Sequence, residues 1–249
     1  MRNEWKVVGH RGFCARYPEN TLPGFQAACK AGVDAIELDV QLSADGIPLV
    51  FHDEDLARTT DASGLLKEYR FDELAGFSAH YPDKFGDKFS PIAIASLKQV
   101  AEALAGVAPH VFIEIKKESI PVLGRERYVQ AVLDASAAFG EKRSIISFDD
   151  EMLELSKQMS PLPVGLCFLE YTEETRQLAM ALKPDIMICE HAIVPREATL
   201  WAGDWEWFFY GIETTEQAAD FYQRGVNWIE ADDPLAVIVK PESGMEYES

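Results

Sequence analysis

Basic residues are scarce in this 249-residue chain: 23 Lys and Arg stand against 42 Asp and Glu, for a formal charge of −19 at pH 7. No group of Lys or Arg is dense enough to track a phosphate backbone, which argues against nucleic acid as a partner and against stable docking on anionic lipid. Long apolar runs are missing too. None approaches the roughly 20 residues that a membrane-spanning helix needs, and the opening "MRNEWK" lacks the apolar stretch of a signal peptide. A cytoplasmic protein is therefore expected. Cys14, Cys29, Cys167 and Cys189 form no CxxC pair and lie in unrelated segments, so four separate reduced thiols are expected rather than a disulfide framework.

Apolar residues make up 47% of the chain and charged residues 26%, enough to build a sizeable core, and the length suits one large α/β unit. Nine apolar runs read as strands: 6–10, 35–40, 47–52, 110–116, 144–148, 163–168, 185–189, 207–212 and 227–231. Amphipathic stretches such as "SLKQVAEALAG" and "TTEQAADFYQRG" lie between most of them, opened by Ser, Thr or Asp and closed by Gly. Alternation of this kind predicts βα units and a mainly parallel sheet, closed into a barrel if eight strands take part. The ninth strand has a local explanation. "LSADGIP" is too short for a crossover, so 35–42 and 47–52 should form a hairpin. A turn centred on Ala44 and Asp45 would set Val40 against Leu49 and Glu37 against His52. Residues 54–95 break the rhythm, with many aromatics and one short helical pattern at 71–76, and are expected to form a small cap over one end of the barrel that selects among substrates.

Four segments carry polar groups where strands end: "GHRG" (9–12), "ELD" (37–39), "HD" (52–53) and "EIK" (114–116). In a βα-barrel such positions gather at the C-terminal face, where active sites sit. Glu37 and Asp39 share one strand face, and Glu114 shares one with Lys116. Three converging carboxylates repel unless a cation lies among them, and an all-oxygen set suits Mg²⁺ or Ca²⁺ better than zinc. The competing reading pairs the acids with Arg11 and Lys116 as internal salt bridges. His10 and His52 together offer a base and an acid titrating near neutrality, although either could bind metal instead. His80, His110 and His191 lack comparable settings.

"HRG" with "PENT" eight residues on from His10, then "ELDVQLSADGIPLVFHD", "EIK" and "GVNWIEADDP", taken in that order across nearly the whole chain, resemble the glycerophosphodiester phosphodiesterase family. The resemblance implies an α/β fold, a TIM (β/α)8 barrel with an inserted segment matching 54–95 in a single domain spanning 1–249. It also implies a metal-dependent hydrolase that splits glycerophosphodiesters into sn-glycerol 3-phosphate and an alcohol. By the same resemblance His10 and His52 match the catalytic pair, with His10 the base and His52 the acid. Glu37, Asp39 and Glu114 match the ligands of one divalent cation. Arg11 and Lys116 match the groups that meet phosphate, and Glu19 and Asn20 support them. Phe148 and Tyr210 are further candidates for lining the substrate pocket. The alternatives are a lysophospholipase D-like enzyme, whose acyl-bearing substrates fit a chain of −19 poorly, and an inactive barrel that only binds such diesters. The expected partner is a small molecule, and the sequence does not give the oligomeric state.

Overall fold

In the computed structural model, which describes residues 4–238, eight parallel strands close into a barrel. They are β1 (Lys6–Gly9), β2 (Ala35–Leu42), β4 (Val111–Ile115), β5 (Arg143–Ser147), β6 (Val164–Cys167), β7 (Ile186–Glu190), β8 (Glu206–Tyr210) and β9 (Trp228–Ala231). The expected TIM barrel is thus present. Closure comes from β1, which pairs with β2 on one side and with β9 on the other. Both faces of such a sheet are covered, which is why β2 is buried at every position although its sequence alternates: Ile36, Leu38, Val40 and Leu42 pack in the core under the helices, and Glu37, Asp39 and Gln41 take the other face. Val8, Phe112, Ile146, Ile188, Phe208 and Trp228 fill the interior, while the opposite strand faces pack against the outer helices.

The helices that follow the strands are α1 (Leu22–Ala31), the short α2 (Phe71–Leu74) and α3 (Pro82–Phe85), α4 (Leu97–Leu104), α5 (Ile120–Leu123), α6 (Arg125–Ala135), α7 (Asp150–Met159), α8 (Glu173–Leu182), α9 (Thr215–Gln223) and α10 (Pro234–Val237). Their ends are set by local chemistry. Ser96 and Gln99 form a reciprocal cap at α4, and Thr214 and Gln217 do the same at α9, each satisfying backbone N–H groups that the helix leaves open. The crossover from β7 to β8 departs from the pattern. Residues 191–205 hold only a 3₁₀ turn, and Trp201, stacked on Tyr171 at 3.9 Å with planes 5° apart, covers the sheet where a helix would lie.

The ninth strand, β3 (Pro48–Val50), runs antiparallel to β2 as expected, but one residue out of the expected register. Val40 pairs with Val50 and Gln41 with Leu49, and the Phe51 N–H donates to the Asp39 carbonyl. The cause is Gly46. Its φ of +79° lets a third residue join the turn, with Gly46 N–H donating to Ser43 and Ser43 N–H to Ile47. Glu37 therefore does not lie opposite His52.

Segment 54–95 builds a small core of its own. Leu56, Leu66, Leu74, Ala79 and Ile94 bury against Leu49 and Phe51 of the hairpin strand and its extension. The aromatics of the segment divide into two groups: Tyr69, Phe71 and Phe77 border this core, whereas Tyr81, Phe85 and Phe89 form a chain of rings that ends on Tyr17, in the loop after β1. All four cysteines are free, and no helix among the described residues is long and apolar enough to cross a membrane.

Candidate active site

The loop that leaves β1 turns back at once. Arg11 and Gly12 both take left-handed backbone angles, φ +49° and +89°, and the Gly12 N–H donates to the Gly9 carbonyl. A Cβ on Gly12 would stand 2.7 Å from the Gly24 backbone carbon, so the third residue of "HRG" has to be glycine for α1 to pack this close. The turn aims the Arg11 N–H at Glu37 Oε2, 3.0 Å away, and its guanidinium at Glu19 (2.7 Å). Arg11 Nε also lies 3.1 Å from Asp39 Oδ2. Its angle is wrong for a hydrogen bond, so this contact is an ion pair only.

Glu37, Asp39 and Glu114 bring carboxylate oxygens within 4.8 Å of one another, as the strand periodicity predicts. Asp39 is set apart from the two glutamates. Burial, then Asp39, Glu230 and Glu114, pushes the Glu37 carboxyl well above the usual carboxylate range. Burial also opposes ionisation of Asp39, but Arg11, Lys116 and His52 with the Asn20 amide overcome it and hold the group well below that range. Asn20 clamps Asp39 from both sides, donating from its amide at 2.9 Å and accepting the Asp39 N–H at 3.2 Å. Lys116 spans Glu114 at 2.8 Å and Asp39 at 3.4 Å. Both expected cations thus do neutralise the acids. A buried three-carboxylate set of oxygen donors, two of them, Glu37 and Glu114, pushed up by burial and by like charge, is nonetheless the donor chemistry that a hard divalent cation fits.

His10 and His52 face the same cavity, each with an acid behind it. His10 Nδ1 lies 2.7 Å from Asp232 Oδ1, and His52 Nδ1 lies 2.6 Å from Asp53 Oδ1. Because a carboxylate only accepts, the tautomer is assigned with Nδ1 carrying the proton, which leaves Nε2 free to act. Burial alone would lower the His10 pKa, but Glu230 and Asp232 outweigh it and leave it raised. Gln41 donates to the backbone carbonyls of His52 and Asp53 and so fixes the end of the hairpin. Arg58 then ties the two sides of the site together: it donates to Asp53 and to Glu19, which in turn holds Arg11.

The cavity measures about 170 Å³ and is lined by His10, Arg11, Glu37, His52, Glu114 and Lys116 on one side. Ile146, Phe148, Cys167, Ile188, Phe208 and Tyr210 line the other, with Glu230 at the border. All eleven expected residues are here: Phe148 and Tyr210 reach the cavity, and Glu19, Asn20 and Asp39 stand behind its wall. No residue lining this cavity comes from 54–95. The segment's link to the site is Arg58. Glu230, Asp232, Asp53 and Arg58 were not among the candidates. The first two had a signal: "IEAD" at 229–232 repeats the spacing of "IELD" at 36–39, on another strand end.

A match to the glycerophosphoryl diester phosphodiesterase family covers residues 10–236. A glycerophosphodiester phosphodiesterase from Caldanaerobacter subterraneus is 37% identical over 164 residues, 65% of this chain and 66% of the relative. The chain spans between about half and two thirds of the length of such curated relatives, 52% for one from Bacillus altitudinis. Among solved structures, a glycerophosphodiester phosphodiesterase from Agrobacterium tumefaciens is 26% identical with a TM-score of 0.77, covering 94% of this chain and 98% of that one. A phosphodiesterase from Oleispira antarctica, solved with its product sn-glycerol 3-phosphate, shares the fold at a TM-score of 0.84 and 24% identity, covering 93% and 94%.

Proposed function

The chain belongs to the glycerophosphoryl diester phosphodiesterase family, and from that premise we propose that it hydrolyses glycerophosphodiesters such as glycerophosphocholine or glycerophosphoethanolamine to sn-glycerol 3-phosphate and an alcohol. The observation that carries the reading is the pair of histidines, each backed by an aspartate on Nδ1 and both facing one cavity that Arg11, Glu37 and Glu114 also line. His10 takes the proton from the attacking oxygen, either a glycerol hydroxyl or water, and Asp232 and Glu230 stabilise the imidazolium that forms. His52 gives its proton to the departing alkoxide, with Asp53 holding the ring in place. Arg11 grips a phosphate oxygen with its planar fork, and Lys116 adds a point charge.

Glu37, Asp39 and Glu114 would hold one divalent cation, Mg²⁺ or Ca²⁺. When bound it supplies charge neutralisation of the diester oxygens. A cytoplasmic setting agrees with the four unpaired thiols, and the ligand is a small molecule rather than a nucleic acid or a membrane.

The test is release of sn-glycerol 3-phosphate from glycerophosphocholine, with and without EDTA. Release that EDTA abolishes and added Mg²⁺ or Ca²⁺ restores is the expected result, and no release under any condition would leave only a binding barrel. Arg11 offers a second check. Arg11→Lys keeps the charge and loses the fork, so kcat/KM should fall roughly 10- to 100-fold, the worth of a charge-assisted hydrogen bond. The melting temperature should change little, because Arg58 still holds Glu19. Lost stability with unchanged kinetics of the folded fraction would instead make Arg11 an internal counter-ion.

A further inference from the structure

Among the described residues, the buried Oε1 of Glu230 has no hydrogen-bond partner. Glu230 sits near the end of β9, 4% exposed, with Val8 beside it on β1 and, two residues on from the Phe208–Trp228 pair, Tyr210 beside it on β8. Its side chain reaches the cavity. The neighbouring cations are engaged elsewhere: Arg11 with Glu19 and Asp39, His10 with Asp232, Lys116 with Asp39 and Glu114. Nor does it belong to the three-carboxylate cluster. A buried carboxyl oxygen left open costs stability, and such groups in a native site call for a ligand that completes them.

We propose that Glu230 is a specificity-determining residue that accepts a hydrogen bond from a free hydroxyl of the substrate's glycerol half, while the carbon skeleton lies against Phe208 and Ile188. The proposal rests on the glycerophosphodiester reading above and names the residue that recognises the half common to all such substrates. Position supports the choice. A group this deep and fixed suits the constant part of the molecule. The alcohol that varies departs on the side of His52, which lines the same cavity and has 30% of its side chain in solvent. A quaternary ammonium has no N–H to donate to Oε1, whereas a hydroxyl does.

The experiment measures binding of sn-glycerol 3-phosphate and of n-propyl phosphate, which lacks both hydroxyls, by calorimetry or competition. The wild-type protein should prefer sn-glycerol 3-phosphate by roughly 10- to 100-fold, the range for a hydrogen bond to a charged group. Glu230→Leu should erase that preference, whatever common shift the lost charge gives to both phosphates. Glu230→Gln, which keeps the shape and one acceptor, should retain part of it and serves if the leucine variant does not fold. Equal losses for both phosphates would mean that Glu230 acts through Arg11 or His10, and absence of any wild-type preference would also overturn the proposal. Failure of the hydrolytic reading looks different: no turnover of glycerophosphocholine by a wild-type protein that still discriminates between the two phosphates.

Discussion

Alanine at His10 or at His52 should lower kcat on glycerophosphocholine by about 100-fold or more, since a positioned acid or base contributes roughly 10²–10⁴ in rate. The fold should survive both changes. His10 and His52 sit at strand ends with 28% and 30% of their side chains in solvent, and each is paired to an acid that can rehydrate when the ring is removed. An exposed pair of this kind is worth about 0–1 kcal/mol. The two aspartates give a graded version of the same experiment. Asp232→Asn and Asp53→Asn keep a ring partner but lose the charge that fixes Nδ1–H, so each should cost rate without reaching the loss of its histidine. The pH profile adds a sign. His10 must be neutral to accept a proton, and its pKa lies above the usual 6.5 because Glu230 and Asp232 outweigh burial. The rate should therefore fall as pH drops through that raised value, and in Asp232→Asn the limb should move to lower pH. A histidine variant that retains full rate, or one that is merely unfolded, would remove that histidine from the chemistry.

Why the histidines and carboxylates were legible in the sequence, and other residues not, follows from which contacts are local. A β-strand shows its faces with period two, so Glu37 and Asp39 could be placed side by side, and so could Glu114 and Lys116. The same rule applied to "IEAD" would have brought Glu230 and Asp232 forward, but no neighbouring histidine marked that strand end. Arg58 is different in kind. It meets Glu19 across 39 residues of chain, through a segment whose path depends on Leu56 and Leu66 finding the hairpin, and no periodicity reports that. The hairpin slip shows the limit at the smallest scale, because one left-handed glycine changes which residues face each other without altering either strand's apolar pattern. The missing helix between β7 and β8 is the converse: residues 191–205 carry no helical period, and the tryptophans that replace the helix act through tertiary stacking.

Glu37→Gln should abolish cation-dependent turnover and also remove a stabilisation that can be read without any substrate. In the protein as described, Glu37 is 4% exposed and accepts the Arg11 N–H, while burial and the charges of Asp39, Glu230 and Glu114 disfavour its ionised form. A divalent cation, if held by the three carboxylates as proposed, would reverse that balance by turning their mutual repulsion into shared attraction. Ligand linkage sets the size of the effect. At a cation concentration 100 times its Kd the folded state gains about 2.7 kcal/mol, which for a chain of this length raises Tm by roughly 5–10 °C. The wild-type protein should show that rise with Mg²⁺ or Ca²⁺ and lose it on chelation. Glu37→Gln should show no rise, and its Tm without cation should equal or exceed the wild-type value, since the variant no longer buries a carboxyl that resists ionisation. Glu114→Gln provides the complement: it too should lose the rise, by removing a second of the three carboxylates. If neither cation moves the wild-type Tm and turnover survives exhaustive chelation, Glu37, Asp39 and Glu114 act only as internal counter-ions of Arg11 and Lys116.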